Sequence, residues 1–186
     1  MLLAQNPTVI ELKNVRFIEY FSDAEQFLGV DLKNTSKLPA LDVRVDVMNH
    51  RGANTYKDLK PLVLSQSNMR RGLAEAPLSY LPDSEGSMPL SSITDIRKVV
   101  GIPDGFCIYG ASLRPKDLNE LSELTPSNNL MGSSSSKSVP LLLRIRYKSI
   151  FDQVYTSFNW VFIDIADRRS DFVMISNTRA KLVCLE

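Results

Sequence analysis

Two segments of this sequence carry an apolar residue at every second position. Residues 41–47 are apolar at every odd position and charged between. Residues 141–147 are also apolar at every odd position, with Arg144 and Arg146 among the intervening residues. Strict alternation suits a strand that packs one face on a core and turns the other face to water. The pattern therefore predicts two strands of an antiparallel, β-rich domain.

Further stretches rich in β-branched and aromatic residues predict more strands. In residues 9–20 the apolar positions change parity near Lys13 and Asn14, which predicts a β-bulge there. Residues 141–148 and 154–165 flank a short turn segment and are spaced as a hairpin. The other predicted strands are residues 27–33, 105–113, 172–175 and 180–185.

Helical patterns are few and short. Ser92 and Asp95 resemble a capping box, and the helix that it predicts ends at Gly101 and Pro103, with a short strand as the alternative. A second helix is predicted over residues 115–126, where leucines recur three apart between two prolines.

Two connections are predicted to be irregular. Residues 49–89 are interrupted by Pro77, Pro82 and Pro89, with Gly72 and Gly86. Residues 126–138, with their run of serines, predict a flexible loop inside a single domain spanning residues 1–186. The whole pattern predicts a mainly β fold, an antiparallel β-sandwich of seven to nine strands with one or two short helices in the connections.

Composition limits the choice of partners. The 186 residues include 22 basic and 21 acidic side chains, for a net charge of +1, so nothing drives the whole chain toward nucleic acid or acidic membranes. No apolar stretch approaches the roughly 18 residues that a membrane-crossing helix needs, and no signal-peptide pattern opens the chain. The sequence predicts a soluble chain, which is also compatible with the soluble part of a longer, membrane-anchored protein.

The two cysteines, Cys107 and Cys184, both have apolar neighbours. A thiol in such surroundings behaves as a small hydrophobic side chain. We therefore expect two buried free thiols, with a disulfide as the alternative.

Residues able to catalyse a reaction are sparse. His50 is the single histidine, beside Arg51 and Gly52 in a predicted surface turn, and no phosphate-binding loop, HExxH or GxSxG motif occurs. Asp164, Asp167 and Asp171 form the densest acidic group, but two arginines lie between the last two, which favours an ion-paired turn over a cation site. The sequence predicts no catalytic residue, no metal site and no cofactor.

Basic residues offer a binding site for anions. The candidates are Arg70 and Arg71, adjacent in sequence, and Arg144 and Arg146, which share one face of a predicted strand. Arginines so placed suit phosphate. The alternative, which we favour, is that Asp42 and Asp46 neutralise Arg144 and Arg146 across the sheet.

Two turns carry a resemblance to a known type of domain. Residues 30–43 are similar to a turn with the pattern N-x-G-x-x-P-A-x-x-V, with Ser36 where glycine is usual, and residues 147–155 resemble a Y-x-D-x-x-G hairpin, from which Ser149 and Gln153 depart. Both turns recur in immunoglobulin-like β-sandwich domains of uncharacterised bacterial proteins, commonly placed after N-terminal membrane helices. The resemblance implies that fold and tethering to a membrane, and it brings no catalytic residues.

Three functions are compatible with these features. The first is a non-enzymatic binding module for another protein, with the connections at residues 49–89 and 126–138 as its expected binding loops. The second is a sensor that binds a small anionic, phosphate-bearing ligand through the arginines. The third is a hydrolase, and the single histidine counts against it.

Overall fold

The structure of this chain, a computed structural model, describes residues 8–19, 26–49, 56–61, 78–102, 105–113, 136–167, 172–175 and 178–181. Eleven strands, one α-helix and a short 3₁₀ helix (Tyr56–Asp58) lie in these ranges. The strands are β1 (Ile10–Glu19), β2 (Gln26–Asn34), β3 (Ala40–Asn49), β4 (Lys60–Pro61), β5 (Leu78–Tyr80), β6 (Glu85–Ser92), β7 (Phe106–Leu113), β8 (Ser136–Lys148), β9 (Val154–Asp167), β10 (Phe172–Ile175) and β11 (Thr178–Lys181), and the helix is α1 (Ile93–Val100). The prediction of a mainly β fold is confirmed, although the strands outnumber the seven to nine expected.

The strands form antiparallel sheets, two of which share one core. One sheet has the order β1-β2-β6, a larger one runs β4-β3-β8-β9-β7 with β5 beside β3, and β10 pairs with β11. Leu28 and Leu32 of β2 belong to the same buried cluster as Leu141 and Leu143 of β8. Two sheets that bury their inner faces against a common core form a sandwich-like arrangement.

The two alternating segments lie in β3 and β8, which are neighbours in the larger sheet. Val43 and Val47 are buried as predicted, but Leu41 is exposed. The register shifts between Leu41 and Arg44, and Asp42 has a φ of 51°, a left-handed conformation that aspartate tolerates better than most residues. This bulge turns Leu41 to the outer face, so the prediction that all odd positions share one face is wrong at Leu41.

The bulge predicted in β1 is confirmed. The pairing of β1 with β2 shifts between Leu12 and Asn14. Ile10 and Val15 have opposite parity in the sequence, yet both are buried. The extra residue allows β1 to keep apolar side chains on the core on both sides of the shift.

β6 occupies a stretch that was predicted to be irregular. It pairs with β2 along its length, from Glu85 opposite Lys33 to Ser92 opposite Phe27. Pro89 lies beside a register shift, and β2 is the single strand that pairs with β6 among the described residues. A proline, which has no N–H to donate, is tolerated at such a position. The prediction of an irregular connection over residues 49–89 is therefore wrong over β5 and β6, and the two-residue β4 also lies in it. Residues 50–55 and 62–77 lie outside the described part.

The predicted loop at residues 126–138 ends earlier than expected. β8 already begins at Ser136, which pairs with Ala166 of β9. Residues 126–135, and the helix predicted over residues 115–126, lie outside the described residues.

The predicted helix after β6 is confirmed as α1. Ser92 caps its first turn, because the Ser92 hydroxyl accepts a hydrogen bond from the Asp95 N–H at 3.2 Å. Gly101 ends it in a left-handed conformation, with φ of 65°, and donates its N–H to the Arg97 carbonyl. The caps specify a helix here and exclude the alternative of a strand.

The expectation of a free thiol is wrong for Cys107. It is fully buried in β7, as predicted, but it is disulfide-bonded. The other cysteine of the chain, Cys184, lies outside the described residues. Apolar neighbours are compatible with either form of a cysteine, so the local sequence did not distinguish them.

Candidate functional site

Two of the predicted arginines lie together on the outer face of the larger sheet. Arg144 donates from Nη2 and Nε to the Asp46 Oδ2 at 2.8 and 3.1 Å, and Arg146 Nη2 lies 3.3 Å from the same oxygen. Asp42 instead pairs with Arg44 at 2.9 Å. The expected neutralisation of Arg144 and Arg146 across the sheet is confirmed for Asp46 and wrong for Asp42.

Arg146 retains a donor that Asp46 does not use. Its Nε is buried and has no hydrogen-bond partner within the described part of the chain. The register also places Arg44 directly opposite Arg146, and like charges at opposed positions repel each other. An anion bound between these two arginines would reduce that repulsion.

The other sequence candidates are not brought together within the described residues. His50, Arg70, Arg71 and Asp171 lie outside the described residues. Asp164 accepts a hydrogen bond from the Ser138 hydroxyl at 2.5 Å. Over the described ranges, no group of three or more histidine, cysteine, aspartate or glutamate side chains is placed to hold a metal ion.

Exposed apolar side chains lie at one end of the molecule. The exposed large hydrophobic residues of the described ranges all lie there, and we call them the tip surface: Leu41 (37% exposed), Leu81 (67%), Ile150 (48%), Phe151 (50%) and Val154 (63%). In the pairing register, Lys148 lies between Leu41 on one side and Val154 on the other. Neighbouring strands are about 4.8 Å apart, so Leu41 and Val154 lie roughly 10 Å apart on either side of Lys148. Both are at the end of the sheet that carries the β8–β9 turn.

The β8–β9 turn holds Ile150 and Phe151 at its apex. The Asp152 N–H donates to the Ser149 carbonyl at 3.1 Å, and the Ser149 N–H donates to the Gln153 carbonyl at 2.9 Å. The Ser149 hydroxyl accepts the Phe151 N–H at 3.2 Å, and Asp152 has a φ of 60°. Ser149 and Asp152 are ordinary turn residues, but isoleucine and phenylalanine are not. Turn formation therefore does not explain the apolar pair.

The strands beneath the tip surface are firmly connected. The ring of Tyr147 stacks on that of Tyr155 with centroids 5.4 Å apart, and the Tyr147 hydroxyl donates to the Thr8 carbonyl at 3.1 Å. Burial raises the pKa of the Tyr147 phenol, so the phenol stays a neutral donor at physiological pH. The base of the hairpin is thereby tied to the start of the chain's first described segment.

Buried Asn34 connects the adjoining turns. Its amide nitrogen donates to the Leu38 carbonyl at 2.8 Å and to the Tyr80 carbonyl at 3.1 Å. Its amide oxygen accepts the N–H and the hydroxyl of Ser36 at 3.0 and 2.6 Å. Leu81 follows Tyr80 directly in sequence, so this network also fixes the base of that part of the tip surface.

Charges near the tip surface occur as pairs of opposite sign. Lys148 lies 3.9 Å from Asp152, and Arg44 lies 2.9 Å from Asp42. On the adjacent sheet, Glu85 pairs with Lys33 at 2.9 Å and raises the pKa of the Lys33 ammonium. Each of these three pairs, all among the described residues, joins one basic and one acidic side chain.

Comparison of this chain with protein-family models, curated proteins and solved structures finds no match. The resemblance to immunoglobulin-like domains of bacterial proteins therefore stays a prediction. In the described ranges, none of the helices has both the length and the apolar character that crossing a bilayer requires.

The tip surface was not among the residues that the sequence singled out. A signal existed, since Ile150 and Phe151 stand side by side in a turn whose other members, Ser149, Asp152 and Gln153, are polar. The contributions of Leu41 and Leu81 could not be predicted from the sequence, because a bulge and a long-range strand pairing place these residues at this end.

Proposed function

We propose that this chain is a non-enzymatic protein-binding module with an immunoglobulin-like sandwich fold, and that it binds through the tip surface. The observation that supports the proposal is the collection of exposed large hydrophobic side chains at one end of the described structure. Contiguous apolar patches on soluble domains commonly mark interaction sites. Scattered exposed residues would carry no such meaning.

Ile150 and Phe151 are the proposed anchors. Each is about half exposed, and complete burial of a large apolar side chain contributes about 1.5–3 kcal/mol. The hydrogen bonds of the turn already fix their backbone. Burying these two side chains against a partner therefore costs little conformational entropy in the turn.

The proposal includes a location on a bacterial membrane, with this chain as the soluble part of an anchored protein. The resemblance of its two turns supports the tether. The disulfide at Cys107 supports an oxidising compartment outside the cytoplasm.

The test uses the double variant Ile150→Ser with Phe151→Ser. Loss of both anchors should raise the Kd for a protein partner at least tenfold, equivalent to about 1.4 kcal/mol. A partner captured from the native source is purified, and its Kd is measured by calorimetry against the wild-type chain and the variant. Thr156→Ser, an exposed position in β9 outside the tip surface, is the matched control. An unchanged Kd for the double variant would remove the tip surface from the proposal.

A second candidate function is binding of a small anion, favoured by the buried Nε of Arg146 and by Arg44 opposite it. This candidate predicts that inorganic phosphate raises the melting temperature more than chloride does at the same ionic strength. This additional rise in melting temperature should vanish in the double variant Arg144→Ala with Arg146→Ala, and it should become smaller as salt is added. Arg16→Ala, on β1 of the other sheet, serves as control. Equal melting temperatures in phosphate and chloride would exclude this candidate.

A further inference from the structure

We infer that the partner at the tip surface is a second copy of this chain, docked through the same five residues about a two-fold axis. The inference rests on the proposed function, because it names the partner of the same surface. A two-fold interface joins one patch to itself, so the patch must be complementary to its own copy. Charge and area both meet this condition.

The charges that flank the apex are self-complementary. In the sequence Lys148 precedes the apolar pair Ile150 and Phe151 and Asp152 follows it, and the two charged side chains lie 3.9 Å apart within one copy. A two-fold axis through the apex would bring Lys148 of one copy toward Asp152 of the other and the reverse. Each contact then joins opposite charges, and no like charges need to meet.

The patch approaches the apolar area that a small dimer interface needs. If a large residue presents on the order of 200 Å² when fully exposed, the exposed fractions of the five residues correspond to about 500 Å² of accessible surface. A standard interface buries about 800 Å² on each partner, and in homodimers about 65% of it is apolar. The tip surface supplies the apolar share of such an interface.

The surroundings of the patch do not favour the other occupants. An anionic membrane would be attracted by an excess of basic residues, whereas Lys148 and Arg44 are each paired with a carboxylate. A strongly charged protein partner would need an unbalanced rim for the same reason. A second copy of this chain needs neither an excess of basic residues nor an unbalanced rim of charge.

The primary test is sedimentation equilibrium of the full chain from about 5 to 500 µM, the range in which a modest interface populates both states. The average mass should rise from the 20.9 kDa of one chain toward twice that value. Ile150→Ser with Phe151→Ser should raise the dimer Kd at least 100-fold, since both copies lose their anchors, while Thr156→Ser should not change it. A monomer at every concentration, or a dimer that the double variant leaves intact, would overturn the inference.

A mixing experiment tests the two-fold geometry separately. Lys148→Glu alone and Asp152→Lys alone should each weaken self-association, because each places like charges in contact. An equimolar mixture of the two variants should associate again, since the contacts between the different variants are all of opposite sign. Mixed variants that stay monomeric while the wild-type chain dimerises would contradict this arrangement.

The inference and the proposed function can fail separately. Suppose that the chain stays monomeric, that another purified protein binds it, and that the double variant abolishes this binding. The inference of a second copy is then wrong, and the proposed binding function stands. If vesicles of zwitterionic or anionic lipid bind the wild-type chain and not the double variant, the tip surface binds membranes and both proposals are wrong.

Discussion

Asn34→Ala should lower the free energy of unfolding by about 2–4 kcal/mol. The Asn34 side chain is fully buried, with 0% exposed, and makes four hydrogen bonds to Leu38, Tyr80 and Ser36. Alanine lacks both the amide nitrogen and the amide oxygen, so the Leu38 and Tyr80 carbonyls lose their donor and the Ser36 N–H and hydroxyl lose an acceptor. Buried polar groups left without a partner destabilise the folded state. The turns beneath the tip surface should loosen together.

Urea unfolding followed by circular dichroism measures this loss. Thr35→Ala, at the exposed neighbouring position, is the matched control and should change the free energy of unfolding by less than about 0.5 kcal/mol. Asn34→Asp retains the size and the acceptor but loses the donors, so it should be destabilised at least as much as Asn34→Ala. Similar stability of Asn34→Ala and the Thr35→Ala control would show that the network does not hold the turns.

Cys107→Ala should lower the free energy of unfolding by about 2–4 kcal/mol, the usual contribution of a native disulfide. The bond restricts the unfolded chain, and Cys107 is fully buried in β7, beside Ala166 in a small cluster. The effect should therefore appear mainly as a lower urea midpoint, with the same secondary structure in the folded state.

The reducing agent provides the internal control for this prediction. Dithiothreitol should lower the midpoint of the wild-type chain and leave that of Cys107→Ala unchanged. Cys184→Ala should behave like Cys107→Ala, because the chain has no third cysteine. A wild-type midpoint that does not respond to the reductant would contradict a stabilising disulfide.

Local patterns were sufficient to predict much of the fold. Alternation in residues 41–47 and 141–147 identified β3 and β8, and their opposite charges anticipated the pairing of Asp46 with Arg144. The parity change near Lys13 located the bulge of β1, and Ser92 located the start of α1. Each of these signals is contained within a few neighbouring residues or in one matched pair of strands.

Features that depend on distant parts of the chain were not predictable. Pairing with β2 makes a strand of a segment that contains Pro89. The left-handed Asp42 turns Leu41 outward although the alternation is perfect in the sequence. The tip surface exists because β3, β5 and the β8–β9 turn end at the same place, which is a property of the sheet and not of any one segment.

The most direct test of the central claim, that this chain binds protein through the tip surface, is site-specific photo-crosslinking. A benzophenone amino acid replaces Phe151 in the full chain, and a matched sample carries it at Thr156, outside the tip surface on β9. Irradiation should give a discrete protein adduct from position 151, to a second copy or to another protein, and none from position 156. No adduct from position 151, or equal adducts from both positions, would contradict the claim.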